Sequence, residues 1–124
     1  MIRVLIADDS PAIRDGLAYL LEGSNEFQLV GTAENGEEAV DLALKFRPDV
    51  IVMDGQMPRL DGVEATRQIK ESLPGIGILF LSVFTDLMEA CVQAGANGFL
   101  CKDCSPEELL SALRQIAQNP GSIC

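Results

Sequence analysis

Apolar residues along the chain alternate between two spacings. Residues 2–7, Ile-Arg-Val-Leu-Ile-Ala, form a short, mostly apolar and β-branched run of strand character. From Pro11 to Glu22 the spacing becomes helical, with Ile13, Leu17, Leu20 and Leu21 on one stripe, Ser10 as N-cap and Pro11 at the first helical position. The pair then repeats. Residues 27–33 read as a second strand. Asn35-Gly36-Glu37-Glu38 has the cap-then-Glu spacing of a helix start. The helix it opens is expected to bury Ala39, Val40, Ala43 and Leu44 and to stop before Pro48. Residues 50–53 are a third, continuously apolar strand, and Asp61-Gly62-Val63-Glu64 opens a helix carrying Val63, Ile69 and Leu73. Residues 78–81 form a fourth strand. A short helix over 86–94 follows, ended by Gly95, and a fifth strand covers 98–101. Ser105-Pro106-Glu107-Glu108 combines Ser cap, Pro and Glu in the last helix start, whose buried stripe is Leu109, Leu113 and Ile116.

Five strand–helix pairs with continuous apolar strands predict an α/β fold, a doubly wound parallel sheet covered by helices on both faces. The 124 residues suit one domain with its own core. We place that domain at 1–120 and read 121–124 as a loop-like tail or the start of a linker.

Charge narrows the function classes. Asp and Glu number 19 against 9 Lys and Arg, a net charge of −10. Such a surface opposes phosphate-bearing partners, whether nucleic acid or anionic membrane. No apolar run reaches the ~20 residues that span a bilayer, and the first residues enter a strand pattern without a signal-peptide shape. A cytoplasmic location is therefore expected, and the four cysteines, Cys91, Cys101, Cys104 and Cys124, are expected to be free thiols. The chain has no histidine, which excludes a Ser-His-Asp triad, a Cys-His pair and His-ligated zinc. Its chemistry must run on carboxylates, lysine, hydroxyls and backbone.

Sites in open α/β sheets lie beyond the carboxyl ends of the strands. The residues there are Asp8-Asp9 after the first strand, Asp54 after the third, Ser82 after the fourth and Lys102 after the fifth. Taken singly, each has an ordinary reading: a turn or cap for the aspartates, a structural hydroxyl, a solvated lysine. Together on one rim they suggest more. Bare, three carboxylates repel, and all-oxygen donors suit a hard cation such as Mg²⁺. Lys102 adds a point charge able to meet a phosphate, and Ser82 a hydroxyl able to donate to one. The set describes phosphoryl transfer to a carboxylate.

Over essentially its whole length the chain resembles the receiver domains of two-component response regulators. The motifs that carry the resemblance are Val4-Leu5-Ile6-Ala7-Asp8-Asp9, Asp54-Gly-Gln-Met57-Pro58 with Asp61-Gly62, Leu81-Ser82, and Ala94-Gly95-Ala96-Asn97-Gly98-Phe99-Leu100-Cys101-Lys102. The resemblance implies a flavodoxin-like three-layer sandwich with sheet order 2-1-3-4-5. It implies that Asp54 accepts a phosphoryl group from a phosphohistidine on a sensor histidine kinase or histidine phosphotransfer protein. Mg²⁺ would be held by Asp9 directly, by Asp8 mainly through water, by Asp54 and by the backbone carbonyl of Gln56. Lys102 would contact the phosphoryl group, while Ser82 and the aromatic Phe99 would move as the coupled switch. On this footing the chain catalyses only its own phosphorylation and dephosphorylation. Homodimerisation on phosphorylation also follows from the resemblance.

Asp103 stands where many receivers have Pro, and the 98–103 segment looks most like the subfamily joined to a LuxR-like helix-turn-helix domain. DNA binding and control of transcription would belong to that further domain, which this chain lacks. Gly55 follows the acceptor where an aliphatic residue is usual, which is expected to loosen that loop. Ser82 replaces the commoner Thr, and Phe99 the frequent Tyr. Gln56 and Phe84 occupy positions that tune the lifetime of the phosphate in this family.

Other readings compete. Cys101-Lys-Asp-Cys104 is formally a C-x-x-C motif, but it closes a strand where thioredoxin-like thiols open a helix. A flavin carrier of the same topology needs a Ser/Thr/Gly-rich phosphate loop, and Asp8-Asp9-Ser10-Pro11 would repel a flavin phosphate. A degenerate receiver working purely by protein contact is opposed by the presence of all the site residues.

Overall fold

The computed structural model describes residues 1–83 and 85–118. Strands β1 (Ile2–Ala7), β2 (Phe27–Ala33), β3 (Val50–Asp54), β4 (Gly77–Ser82) and β5 (Gly98–Cys101) alternate with helices α1 (Pro11–Glu22), α2 (Gly36–Phe46), α3 (Gly62–Ser72), α4 (Met88–Ala94) and α5 (Pro106–Gln118). All strand pairings are parallel, and the sheet order is β2-β1-β3-β4-β5. The doubly wound, flavodoxin-like expectation holds element by element.

The inner strands β3 and β4 are buried along their whole length because both faces of the sheet are covered there. Alternate side chains of one strand enter different cores. Val4 and Ile6 of β1, Val50 and Val52 of β3, and Leu79 and Leu81 of β4 meet Leu21 of α1 and Leu109, Leu113 and Ile116 of α5. Leu5, Ala7, Ile51, Met53, Ile78 and Phe80 face the other way, against Ala39 and Ala43 of α2, Ala65 and Ile69 of α3, and Cys91 of α4. The result is three layers, with α1 and α5 on one side and α2, α3 and α4 on the other.

Local capping fixes most helix starts where the sequence puts them. Asn35 Oδ1 accepts from the Glu38 N–H at 2.8 Å, and Asp61 Oδ1 from the Glu64 N–H at 2.9 Å. At α5 the box is reciprocal: the Glu108 N–H donates to Ser105 Oγ at 3.1 Å, and the Ser105 N–H to Glu108 Oε1 at 3.2 Å. Two expectations differ from what is found. Leu44 is 44% exposed rather than buried. The inner stripe of α2 is centred on the small Ala39 and Ala43, and Leu44 lies one residue, about 100°, beyond it. The helix after β4 starts later than residue 86, with a 3₁₀ turn over Thr85–Leu87 before α4. Leu87 at the N-cap makes no side-chain cap bond, so nothing local sets an α-helical start. The C-terminal stop is as expected, with Gly95 at φ 104° and its N–H bonded to the end of α4. Phe84, the 121–124 tail and Cys124 lie outside the described residues.

Candidate functional site

In a parallel sheet every strand delivers its carboxyl end to the same rim, so the sequence positions after each strand become neighbours in space. Asp54 and Ser82 are the last residues of β3 and β4, and Asp8 and Lys102 directly follow β1 and β5. Backbone bonds hold the rim together: the Lys102 N–H donates to the Ser82 carbonyl, and the Asp8 N–H to the Ala33 carbonyl, both at 3.0 Å. Asp8, Asp54 and Ser82 are buried, whereas Asp9 is exposed at the mouth. A cleft opens over Asp9, Asp54, Ser82 and Lys102, walled also by Gln56, Met57, Val83 and Leu87.

Lys102 joins the two buried carboxylates. Its Nζ lies 3.0 Å from Asp8 Oδ2 and 3.2 Å from Asp54 Oδ1. The other Asp8 oxygen, Oδ1, accepts from the Ser10 N–H at 2.9 Å. Asp54 Oδ1 also accepts from the Gln56 N–H at 3.3 Å. Carboxylate oxygens of Asp8, Asp9 and Asp54 all lie within 4.8 Å of one another. An all-oxygen cluster of this size, beside a single ammonium, fits a hard divalent cation and offers no soft ligand to a softer one.

The electrostatics reflect crowding of like charge. Burial, and then the neighbouring Asp8 carboxylate, push the Asp54 carboxyl up to about 6, against the opposing pull of the Gln56 N–H and Lys102. Burial draws Lys102 down, but its bonds to Asp8 and Asp54 outweigh that and leave its ammonium held above the ordinary range.

Every predicted site residue with described coordinates lies at or beside this rim except Phe99. That ring, half-buried on β5, stacks on Phe80 with centroids 6.4 Å apart and planes within 6°. Gln56 is exposed and lines the cleft. The expectation of a loosened loop at Gly55 is not met. Gly55 is buried, its carbonyl accepts from the Gly62 N–H at 3.4 Å, and a Cβ there would collide with neighbouring side chains. Its missing side chain is filled by packing, not by slack.

Two residues, and the close packing of Gly62, escaped the sequence reading. Arg14, six residues on and about one turn into α1, donates from its guanidinium to the Asp8 backbone carbonyl at 2.6 Å. Leu87 reaches the cleft from the 3₁₀ turn. Gly62 brings α3 so close that a Cβ there would lie 2.0 Å from the Asp54 carbonyl oxygen. None has a local signature, since each acts through a tertiary approach. The three described cysteines are free. Burial pushes the Cys91 thiol up to about 11, and burial with nearby Glu108 and Asp103 raises Cys104. A raised thiol is less often the nucleophilic thiolate, which weighs against Cys104 as an attacking thiol.

A five-stranded parallel sheet that gathers three carboxylates, a hydroxyl and a lysine on its carboxyl rim defines an α/β domain with an acidic pocket at one edge of the sheet. Residues 4–114 match the model of the response regulator receiver domain. The chain is 40% identical over 119 residues to the transcriptional regulatory protein YxjL of Bacillus subtilis, covering 94% of this chain and 55% of that protein. It is 37% identical over 118 residues to the response regulator GacA of Pseudomonas aeruginosa, with 94% and 55% covered. Among solved structures, the signal receiver domain of the response regulator NarL from Mycobacterium tuberculosis superposes with a TM-score of 0.91 at 30% identity, covering 95% of this chain and 97% of that one. The chain belongs to the response regulator receiver domain family of two-component systems. It spans about half the length of the curated relatives it matches. Among the described residues, no helix is long and apolar enough to cross a membrane.

Proposed function

We propose that Asp54 is the phosphoacceptor of this receiver domain, and that Mg²⁺ bound by Asp8, Asp9, Asp54 and the Gln56 backbone carbonyl makes the transfer possible. The single observation that carries this reading is the bridge of Lys102 between the buried Asp8 and Asp54, beside an exposed Asp9 in an open cleft. When bound, the cation supplies positive charge that lets a phosphoryl dianion approach a carboxylate.

The chain's own residues do the rest. An Asp54 oxygen forms a bond to phosphorus as the phosphorus–nitrogen bond of a phosphohistidine breaks, and the freed imidazole takes up a proton. With no histidine in the chain, the donor is a segment or protein beyond it, a sensor histidine kinase or phosphotransfer protein. Lys102 already touches Asp54 and is placed to pair with the phosphoryl oxygens. Ser82, at the end of the neighbouring strand, is placed to donate to one of them. Its movement, with that of Phe99, is the switch, a two-state element biased by the new charge. We place the domain in the cytoplasm, with phosphorylation promoting homodimerisation. Transcription would be controlled through a DNA-binding region outside these residues, in keeping with the longer regulators it resembles.

Acetyl phosphate with Mg²⁺ is expected to add one phosphoryl group to the wild type, seen by intact-mass measurement, and none to Asp54→Ala. An unmodified wild type, or equal modification of the variant, sinks the proposal.

A further inference from the structure

We infer that Arg14 is a positioning residue for the metal site: by holding the Asp8 carbonyl it orients the peptide that leads into Asp9, and so presents the Asp9 carboxylate to a cation shared with Asp8 and Asp54. The inference rests on the reading of the strand-end cluster as a Mg²⁺ site.

The pairing of β1 with β2 and with β3 stops at Ala7, so the sheet no longer directs the backbone at Asp8 and Asp9. Asp9 is exposed, and among the described residues its side chain is held by no hydrogen bond or ion pair. Its direction is therefore set by the two peptide planes that flank it. A planar peptide fixes six atoms together, from the Cα of one residue to the Cα of the next. The plane after Asp9 is held at the Ser10 N–H, which donates to Asp8 Oδ1 at 2.9 Å. The plane before it is held at the Asp8 carbonyl, which accepts from Arg14 Nη1 at 2.6 Å. That bond is charge-assisted and partly buried. Arg14 is itself anchored in the first turn of α1, its N–H donating to the Ser10 carbonyl at 3.0 Å. Without the guanidinium the Asp8 carbonyl loses this hold, and the arriving cation must order Asp9 at its own expense. Charge alone demands the reverse. A guanidinium beside three carboxylates repels a cation, so its removal, with no effect on position, would tighten Mg²⁺. The sign of the change therefore separates the two roles.

The test is calorimetric titration of the 124-residue protein with Mg²⁺ at fixed ionic strength, well below the melting temperature. Wild type is expected to bind, and Asp9→Asn to lose most of that binding. Arg14→Met keeps the apolar stem and removes donor and charge. It is expected to bind Mg²⁺ roughly tenfold more weakly, the loss typical of a residue that orients a ligand. Arg14→Lys, which restores a donating ammonium, should recover most of the loss. Unchanged affinity in Arg14→Met, even with lower stability, would make Arg14 a structural tie and overturn the inference. Tighter binding would make it a repelling charge and overturn it equally, as would a failure of Arg14→Lys to recover. If Arg14→Met does not fold, Arg14→Gln, uncharged and two atoms shorter, decides by the same sign. A wild type that binds no Mg²⁺, or an Asp9→Asn that binds as well, sinks the metal reading and takes this inference with it. A wild type that binds through Asp9 while Arg14→Met binds no more weakly sinks only the role of Arg14.

Discussion

Asp54 carries its charge in an unfavourable place. It is 4% exposed and faces the Asp8 carboxylate, and these two effects lift it from its ordinary 3.8 to about 6. A carboxyl group raised on folding costs stability when ionised. The cost is complete above the folded value, about 6, and vanishes below the unfolded one, 3.8. In the presence of a chelator, Asp54→Asn is therefore expected to be more stable than wild type by roughly 2–3 kcal/mol at about pH 7.5. Between there and about pH 4.5 the advantage should fall to about a third, because the folded wild type then holds its proton. Thermal or urea unfolding at the two pH values measures it. An advantage independent of pH would mean that Asp54 is not strained by its charge. Stability given up at one buried acid is the form expected of a site prepared for a cation.

Elements place these residues, and one helix start does so with almost no clearance. At Gly62 a Cβ would lie 2.0 Å from the Asp54 carbonyl oxygen and 3.1 Å from Gly55 Cα, both backbone atoms that cannot step aside. Gly62→Ala is expected to cost about 3 kcal/mol or more in urea unfolding, and to weaken Mg²⁺ binding by shifting the acceptor strand end. Gly16 makes the opposite case. It lies inside α1 with nothing within 4 Å of a Cβ, so Gly16→Ala should stabilise by roughly 0.5–1 kcal/mol and leave metal binding unchanged. The contrast marks what a sequence can and cannot disclose. Asn35, Asp61 and Ser105 were legible as caps because each bonds a backbone N–H three residues away, within its own segment. The start of α4 was not, because Leu87 supplies no acceptor. Leu44 misled because periodicity marks an apolar residue without saying how wide the covered stripe is. The rim of Asp8, Asp54, Ser82 and Lys102 was legible because parallel strands carry their carboxyl ends to one edge. Arg14, Leu87 and the crowding at Gly55 and Gly62 depend on elements meeting, so no local pattern announced them.

For the whole molecule the decisive quantity is charge, a net −10 on 124 residues, with three of the carboxylates held within 4.8 Å at one rim. Two effects of added salt must then be separated. Screening by any electrolyte eases the general self-repulsion, over a range that shortens to about 10 Å at 0.1 M, and should raise the melting temperature of wild type and site variants alike. A bound cation acts differently, by linkage to the folded state alone. At equal ionic strength, Mg²⁺ at about ten times its dissociation constant is expected to stabilise wild type by about 1.4 kcal/mol beyond NaCl, a rise of about 4 °C. Asp9 provides the discriminating variant, because it is exposed at the mouth of the cleft and its replacement leaves the core untouched. Asp9→Asn should keep the response to NaCl and lose most of the excess due to Mg²⁺. If the variant retains that excess, the cation is held elsewhere on the acidic surface, and the strand-end cluster is not its site.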